Sequence, residues 1–142
     1  MQPPASTPGP ELAAAFAECF DAMTAVGRTL DEAQWTSPSL CPGWSCKDAL
    51  IHVTAAELAF AEWTPSPDPP MAEIGAHIRH LRTLPGAGVL DTFATITARR
   101  LEQLHAMTDA DFDRVGWSPA GQGPYRRYME IRVFDHWAHE QD

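Results

Sequence analysis

Apolar residues recur at spacings of three and four along several stretches of the chain, and this period predicts amphipathic α-helices. The first predicted helix begins at Pro10, a residue suited to a first helical turn, and continues to about Leu30. Its apolar positions are Leu12, Phe16, Cys19, Phe20, Met23, Val26 and Leu30. No stretch alternates convincingly between apolar and polar residues, as a half-buried strand would. The pattern therefore indicates a helical protein.

A second helix is predicted from Ser45 to about Trp63, after a loop at residues 34–44 that contains two prolines and a glycine. Ser45 is followed three residues later by Asp48, which is the spacing of a capping box. The interior of this helix is rich in alanine around His52. Small side chains at these positions let a neighbouring helix approach closely.

Two more long helices are predicted beyond the proline-rich linker at residues 64–70, which cannot continue a helix. A short helical piece covers Met71 to Leu81, and the third long helix runs from about Val89 to about Asp109. The fourth opens at Pro124 and is still helical when the chain ends at Asp142. Its residues expected to pack inward are Tyr128, Ile131, Phe134 and Trp137.

Four long helices without strands predict an all-α fold, with an antiparallel four-helix bundle as its architecture. Residues 1–9 contain three prolines and no apolar period, so we predict a disordered lead-in before a bundle domain of residues 10–142. The last helix lacks a C-cap glycine, which suggests that the chain is part of a longer protein.

Composition and charge narrow the class of partner. The 142 residues, 44% of them hydrophobic, suit a single globular domain. With 19 acidic and 10 basic residues the net charge is -9, which argues against nucleic acid and anionic membranes. The sequence has neither a long apolar span nor a signal peptide. We therefore predict a cytoplasmic protein that binds small molecules or metal ions.

The three cysteines, Cys19, Cys41 and Cys46, are too few for a disulfide framework and are expected to be free thiols. Cys41 and Cys46 flank a Pro-Gly-Trp turn, so a thiolate metal ligand or a redox pair is one interpretation. They lack CxxC spacing and a second cysteine pair, which favours structural burial for both.

Three residues are candidates for metal ligands. Asp135 and His139 are four positions apart and share one face of the last helix, although such a pair is often only solvated. His52 lies in an apolar stripe, where a core histidine bonded to a backbone carbonyl is the plain interpretation. Helical bundles, however, build metal sites from side chains on facing helices. Together His52, Asp135 and His139 form a set of two histidines and one carboxylate.

Three protein ligands leave a coordination position free for water or a substrate atom, which is typical of catalytic sites. A metal ion there lowers the pKa of a bound thiol or water. Zinc is the expected ion, and Fe(II), Ni(II) or Mn(II) suit the same donors.

Other polar residues near these positions allow more than one interpretation. Arg132 lies one turn before Asp135 and either orients it, binds an anionic substrate group or makes an ordinary ion pair. Asp142 follows His139 by three residues and either hydrogen-bonds its imidazole or frays with the chain end. The remaining histidines find no partner at metal-site spacing; they are His77, His80, His105 and His136.

Two blocks of the sequence resemble the N-terminal domain of mycothiol-dependent maleylpyruvate isomerases. In residues 39–57, SLCPGWSCKDALIHVTAAE, a Pro-Gly-Trp turn leads into a helix that carries Asp and then His. Residues 123–142, GPYRRYMEIRVFDHWAHEQD, contain an acidic residue and a His four positions later. The resemblance implies a DinB-like four-helix bundle with His52, Asp135 and His139 as metal ligands. Asp135 replaces the glutamate of the isomerase that names the family.

The resemblance also implies a function. Mycothiol would be the co-substrate, its sulfur activated at the metal and added to an electrophilic small molecule by an isomerase or S-transferase. Arg79 or Arg82 lies where a family arginine recognises substrate carboxylates. Family enzymes commonly carry a C-terminal domain that helps to shape the active site, and none is expected in these residues. The alternative is a non-catalytic metal-binding or helical interaction module, and a homodimer is left open.

Overall fold

The computed structural model describes residues 6–142, which form seven helices and one small hairpin. In chain order the elements are α1 (Gly9–Gly27), α2 (Glu32–Trp35), α3 (Cys46–Glu62), α4 (Met71–Leu81), α5 (Gly86–Ala106), α6 (Asp109–Phe112), β1 (Val115–Gly116), β2 (Gly123–Pro124) and α7 (Tyr125–Glu140). We predict a disordered lead-in at residues 1–9. Residues 1–5 of this segment lie outside the described residues, and Gly9 already belongs to α1. Helix α7 ends at Glu140 with Gln141 as its C-cap, so its predicted continuation to Asp142 is wrong.

The four long helices α1, α3, α5 and α7 form a bundle. Helix α1 packs against α5 and α7, while α3 packs against α5 and also contacts α7. Helices α1 and α3 therefore occupy opposite corners, and α4 lies outside the bundle against α3. The predicted all-α four-helix bundle is confirmed. No helix within residues 6–142 has both the length and the apolar content needed to cross a membrane.

The entrance to α3 combines a capping box with a tight turn. The Ser45 side chain accepts a hydrogen bond from the backbone N–H of Asp48, and the Asp48 carboxylate accepts one from the N–H of Ser45, as predicted. Just before it, the backbone N–H of Trp44 donates to the carbonyl of Cys41 at 3.0 Å. Gly43 in this turn has φ +82°, a conformation that glycine adopts without strain. The turn fixes Cys41 and Trp44 beside the start of α3.

The buried face of helix α7 contains charged and polar residues as well as apolar ones. Its buried residues are Tyr125, Arg126, Tyr128, Met129, Arg132 and His136, at spacings of one to four. Phe134 and Trp137 lie on another face and are 66% and 53% exposed, so the inward packing predicted for them is wrong. The hydrophobic pattern misleads here because buried ion pairs replace apolar residues on the inner face.

The first turn of α5 provides a test of the packing. A Cβ atom added at Gly86 would lie 2.2 Å from Cγ of the buried Trp35, whereas at Gly88 its nearest contact would be 3.4 Å, to Leu84. We expect Gly86→Ala to lower the free energy of unfolding by about 1 to 3 kcal/mol, because the indole must shift. Gly88→Ala should be neutral or slightly stabilising. Urea denaturation measures both; equal effects would contradict this packing.

Candidate metal centre

The structure brings together the three residues predicted to bind metal. His52 projects from α3, and Asp135 and His139 project from consecutive turns of α7. The Nε2 atom of His52 lies 3.3 Å from Oδ2 of Asp135, and Nε2 of His139 lies 3.3 Å from Oδ1 of Asp135. One donor atom from each residue lies within 4.8 Å of the other two. The set therefore converges on one small volume.

The donor types and spacing fit a divalent transition metal. Two imidazoles and one carboxylate are common zinc ligands. Two donors on a tetrahedral zinc ion, each bonded at about 2.0 to 2.1 Å, lie about 3.3 Å apart. Each imidazole nitrogen lies at this separation from one carboxylate oxygen, His52 from Oδ2 and His139 from Oδ1 of Asp135, both at 3.3 Å.

Trp44 borders the two candidate imidazoles. Its ring is stacked on His139 with centroids 5.8 Å apart and an interplanar angle of 15°, and it lies 5.3 Å from the His52 ring. The His52 side chain remains 36% exposed, so the group is accessible from solvent. The turn before α3 thus supplies one wall of the site and leaves another side open.

Asp142 fixes the orientation of His139. Its Oδ2 lies 2.7 Å from Nδ1 of His139, and the Cys41 thiol donates to the same oxygen at 3.1 Å. Because Asp142 occupies Nδ1, Nε2 is the nitrogen of His139 that would bind a metal, in place of its contact with Asp135. Of the two interpretations of Asp142, this geometry agrees with the hydrogen-bonding one. His139, Asp142 and Cys41 also form a second group of potential metal donors.

Charges around Asp135 favour its ionised form. Burial alone raises the pKa of Asp135, but hydrogen bonds with His139 and His52 and the charge of Arg132 hold it well below its usual range. The hydrogen bond with Asp135 also raises the pKa of His139, with Asp142 contributing further. The cluster thus contains a carboxylate anion at neutral pH.

The cysteines are free thiols, as predicted. Cys46 is partly buried and packs against the core, whereas the burial predicted for Cys41 does not hold, because Cys41 is partly exposed outside the core. Cys41 sits in the turn that reaches the end of α7 instead of in the core. Its hydrogen bond with Asp142 raises the pKa of the Cys41 thiol, which favours the protonated form.

Arg132 links the candidate site to the interior of the bundle. Its Nη1 donates to Oδ2 of Asp135 at 2.6 Å, and its Nη2 donates to Oε1 of Glu57 at 2.8 Å. The side chain is only 6% exposed, so this is not an ordinary surface ion pair. Of the interpretations open for Arg132, the geometry favours orientation of Asp135.

Glu57 is the centre of a buried charge network that the sequence analysis missed. Besides Arg132, its carboxylate contacts Nε of Arg100 at 2.9 Å and Nε2 of His136 at 3.0 Å. Burial opposes the charge, but the two arginines and His136 hold the pKa of Glu57 well below its usual range. A glutamate inside the apolar run of α3 was the available signal, because a buried charge requires partners.

The arginines predicted to bind substrate carboxylates belong to α4 and lie apart from the three candidate metal ligands. Arg82 is the exposed C-cap residue of α4, and Arg79 is exposed as well. Within residues 6–142, neither forms an ion pair or hydrogen bond with His52, Asp135 or His139. A role for Arg82 in binding substrate carboxylates stays a prediction.

The contact between Asp142 and His139 provides a second test. We expect Asp142→Ala to weaken zinc binding about 10- to 100-fold, because the imidazole loses the partner that fixes its tautomer and orientation. Cys41→Ser is the control, since a hydroxyl can keep the bond to Asp142, and its zinc affinity should stay within about threefold of the original. Competition with a chromogenic chelator measures both. Unchanged affinity in Asp142→Ala would exclude this role.

Comparison with solved structures finds the same fold. A mycothiol-dependent maleylpyruvate isomerase superposes with a TM-score of 0.80 at 16% identity, over 94% of this chain and 60% of that one. A histidine-to-alanine mutant of such an isomerase gives 0.74 and 17%, with the same coverages. YfiT from Bacillus subtilis, described as a probable metal-dependent hydrolase with an unusual four-helix bundle topology, gives 0.73 and 16%, over 99% and 87%. The present chain thus spans about three fifths of the isomerase.

Comparison of the sequence with known proteins and protein families identifies the family of the chain. No curated protein matches the chain. The family model of the mycothiol maleylpyruvate isomerase N-terminal domain matches residues 5–142, which is nearly the whole chain and includes both blocks that carry the resemblance. The chain therefore belongs to the mycothiol maleylpyruvate isomerase N-terminal domain family.

Proposed function

We propose that this domain binds one divalent metal ion, zinc in the first instance, through His52, Asp135 and His139. We further propose that the ion activates a low-molecular-weight thiol, mycothiol, for addition to an electrophilic small molecule. The observation that carries the proposal is the convergence of three donor groups, with Asp142 bonded to Nδ1 of His139 so that Nε2 faces the other two donors.

When bound, the metal supplies a lowered pKa to a coordinated thiol, so that sulfur is available as the nucleophilic thiolate at neutral pH. The residues of the chain hold the donors in place. Arg132 fixes Asp135, and Asp142 fixes His139. Trp44 covers one side of the imidazoles, while the exposed side of His52 provides access for the thiol.

The reaction class follows from reversible addition of a thiol. The sulfur forms a bond to one carbon of a conjugated double bond, and the π electrons shift toward the adjoining carbonyl group. Rotation about the resulting single bond, followed by loss of the thiol, gives the isomer and regenerates the thiol. If the enolate formed by the addition instead takes up the proton of the thiol at carbon, the thioether is kept and the outcome is an S-transfer reaction.

Thiol titration of the Co(II)-loaded protein tests this proposal. Mycothiol should produce a sulfur-to-cobalt charge-transfer band that saturates at one thiol per metal. The Cys41→Ser variant should give the same band, because the sulfur comes from the added thiol. A Co(II)-loaded protein whose spectrum does not respond to mycothiol would support the non-catalytic metal-binding module instead.

A further inference from the structure

A cavity of about 170 Å³ lies directly beside the candidate metal ligand His139. It lies between the C-terminal end of α1, the beginning of α3 and the end of α7, and it opens to solvent on one side. Its apolar walls include Met23 and Val26 from α1 and Ala49 and Leu50 from α3. His139 and Asp142 line the cavity, so it borders the donor cluster at the imidazole of His139.

The size of the cavity suits a small ring or a short aliphatic chain. A cavity of about 150 Å³ in another protein admits benzene, so 170 Å³ is sufficient for a group of that size. The walls consist mainly of aliphatic side chains together with the buried ring of Trp35. They favour apolar contact over hydrogen bonding.

The charges of this cavity disfavour an anion. Its acidic lining residues are Glu140 and Asp142, and no arginine or lysine of residues 6–142 lines it. Arg132 is already bound to Glu57 and Asp135, so its charge is neutralised within the bundle. A carboxylate entering the cavity would lose water and meet these two acidic groups, with no arginine or lysine of the wall to pair with.

We propose that this cavity receives an uncharged, apolar part of the electrophilic substrate, with the reacting carbon held near His139. The domain is thus selective for an apolar electrophile and against a dicarboxylate. This inference rests on the proposed function for the position of the reacting carbon, whereas the preference of the cavity for uncharged groups is measurable without any thiol chemistry.

Two thiols of similar length test the preference on the Co(II)-loaded protein. Each methylene group moved from water into an apolar cavity strengthens binding about fourfold. We therefore expect 1-butanethiol to bind at least about tenfold more tightly than 3-mercaptopropionate, as measured by the charge-transfer band. Equal binding, or tighter binding of the carboxylate, would overturn the inference.

Adding a positive charge to the cavity wall, and the same charge elsewhere on the surface, gives a matched pair of variants that tests the preference. Val26 lines the cavity but is 48% exposed in the last turn of α1, so arginine fits there without disturbing the core. Val26→Arg should reduce the preference for 1-butanethiol to below about threefold. Val115→Arg, at an exposed position of β1 outside the cavity lining, adds the same charge and should leave the preference unchanged. An unchanged preference in Val26→Arg would also overturn the inference.

A second measurement separates this inference from the proposed function. In the zinc-loaded protein, benzyl alcohol should shift the NMR signal of the Trp35 indole N–H saturably, and the shift should weaken in Val26→Arg. Absence of that shift would overturn the assignment of an apolar binding cavity, regardless of the result of the thiol titrations. If benzyl alcohol binds but no thiol produces a cobalt band, the proposed thiol activation fails while the cavity assignment stands.

Discussion

Replacing His52 with alanine is expected to reduce bound zinc from about one ion per chain to a small fraction of that amount. Removal of one of three donors should weaken zinc affinity on the order of a hundredfold or more, because the ligands together supply the binding free energy. The fold should survive, since the His52 side chain is 36% exposed and contributes no core packing comparable with its neighbours. Metal analysis after dialysis, with circular dichroism for the fold, measures this effect.

His80→Ala is the matched control for this experiment. His80 is an exposed histidine of α4 that belongs to neither group of potential donors within residues 6–142. Its loss should leave the zinc content unchanged. If His52→Ala and His80→Ala retained the same zinc content as the original protein, His52 would not be a ligand.

Replacing Glu57 with glutamine should destabilise the bundle by about 3 to 5 kcal/mol. The substitution removes the charge that compensates Arg100 and Arg132 in the interior, and breaking a buried ion pair from one side leaves an uncompensated charge. It should also weaken metal binding, because Arg132 loses the partner that holds it against Asp135. Urea denaturation and zinc competition measure the two effects.

Glu62→Gln provides the comparison within the same helix. Glu62 pairs with Arg99 on the surface, where its side chain is 70% exposed, so its loss should cost less than about 1 kcal/mol. Comparable losses for Glu57→Gln and Glu62→Gln would show that the buried network does not stabilise the fold as argued.

The stabilisation from Glu57 has a defined pH dependence. Because its pKa is lower in the folded protein than in the unfolded chain, protons bind preferentially to the unfolded chain as the solution is acidified. The stabilisation is therefore fully present above the ordinary glutamate pKa of about 4.3 and is lost as the pH falls from there through the folded value. The stability difference between the original protein and Glu57→Gln should shrink over that acidic range.

The helices were predictable because their signals are local. The capping box at Ser45 and Asp48 and the prolines of the linker set the boundaries of α3 and α4 close to those observed. The pairing of Asp135 with His139 was also a local signal, since residues four positions apart share one side of α7. Their proximity to His52 depends on tertiary packing, and it was indicated by the way helical bundles build metal sites and by the family resemblance.

The remaining features depend on contacts between distant parts of the chain. Periodicity gives each helix an inner face but not the order of helices around the bundle, so the diagonal placement of α1 and α3 was not predictable. The apolar spacing along the last helix predicts that Phe134 and Trp137 face inward, whereas α7 buries Arg132 and His136 against Glu57. Such a network becomes visible only when both helices are in place.

X-ray absorption at the zinc edge, on zinc-loaded protein without added thiol, tests the central claim most directly. With His52, Asp135 and His139 as the protein ligands, we predict only nitrogen and oxygen neighbours at about 2.0 to 2.2 Å, including two imidazoles. The neighbouring donor group contains Cys41 together with His139 and Asp142. A sulfur neighbour at about 2.3 Å would place the ion on Cys41 and contradict the proposed site.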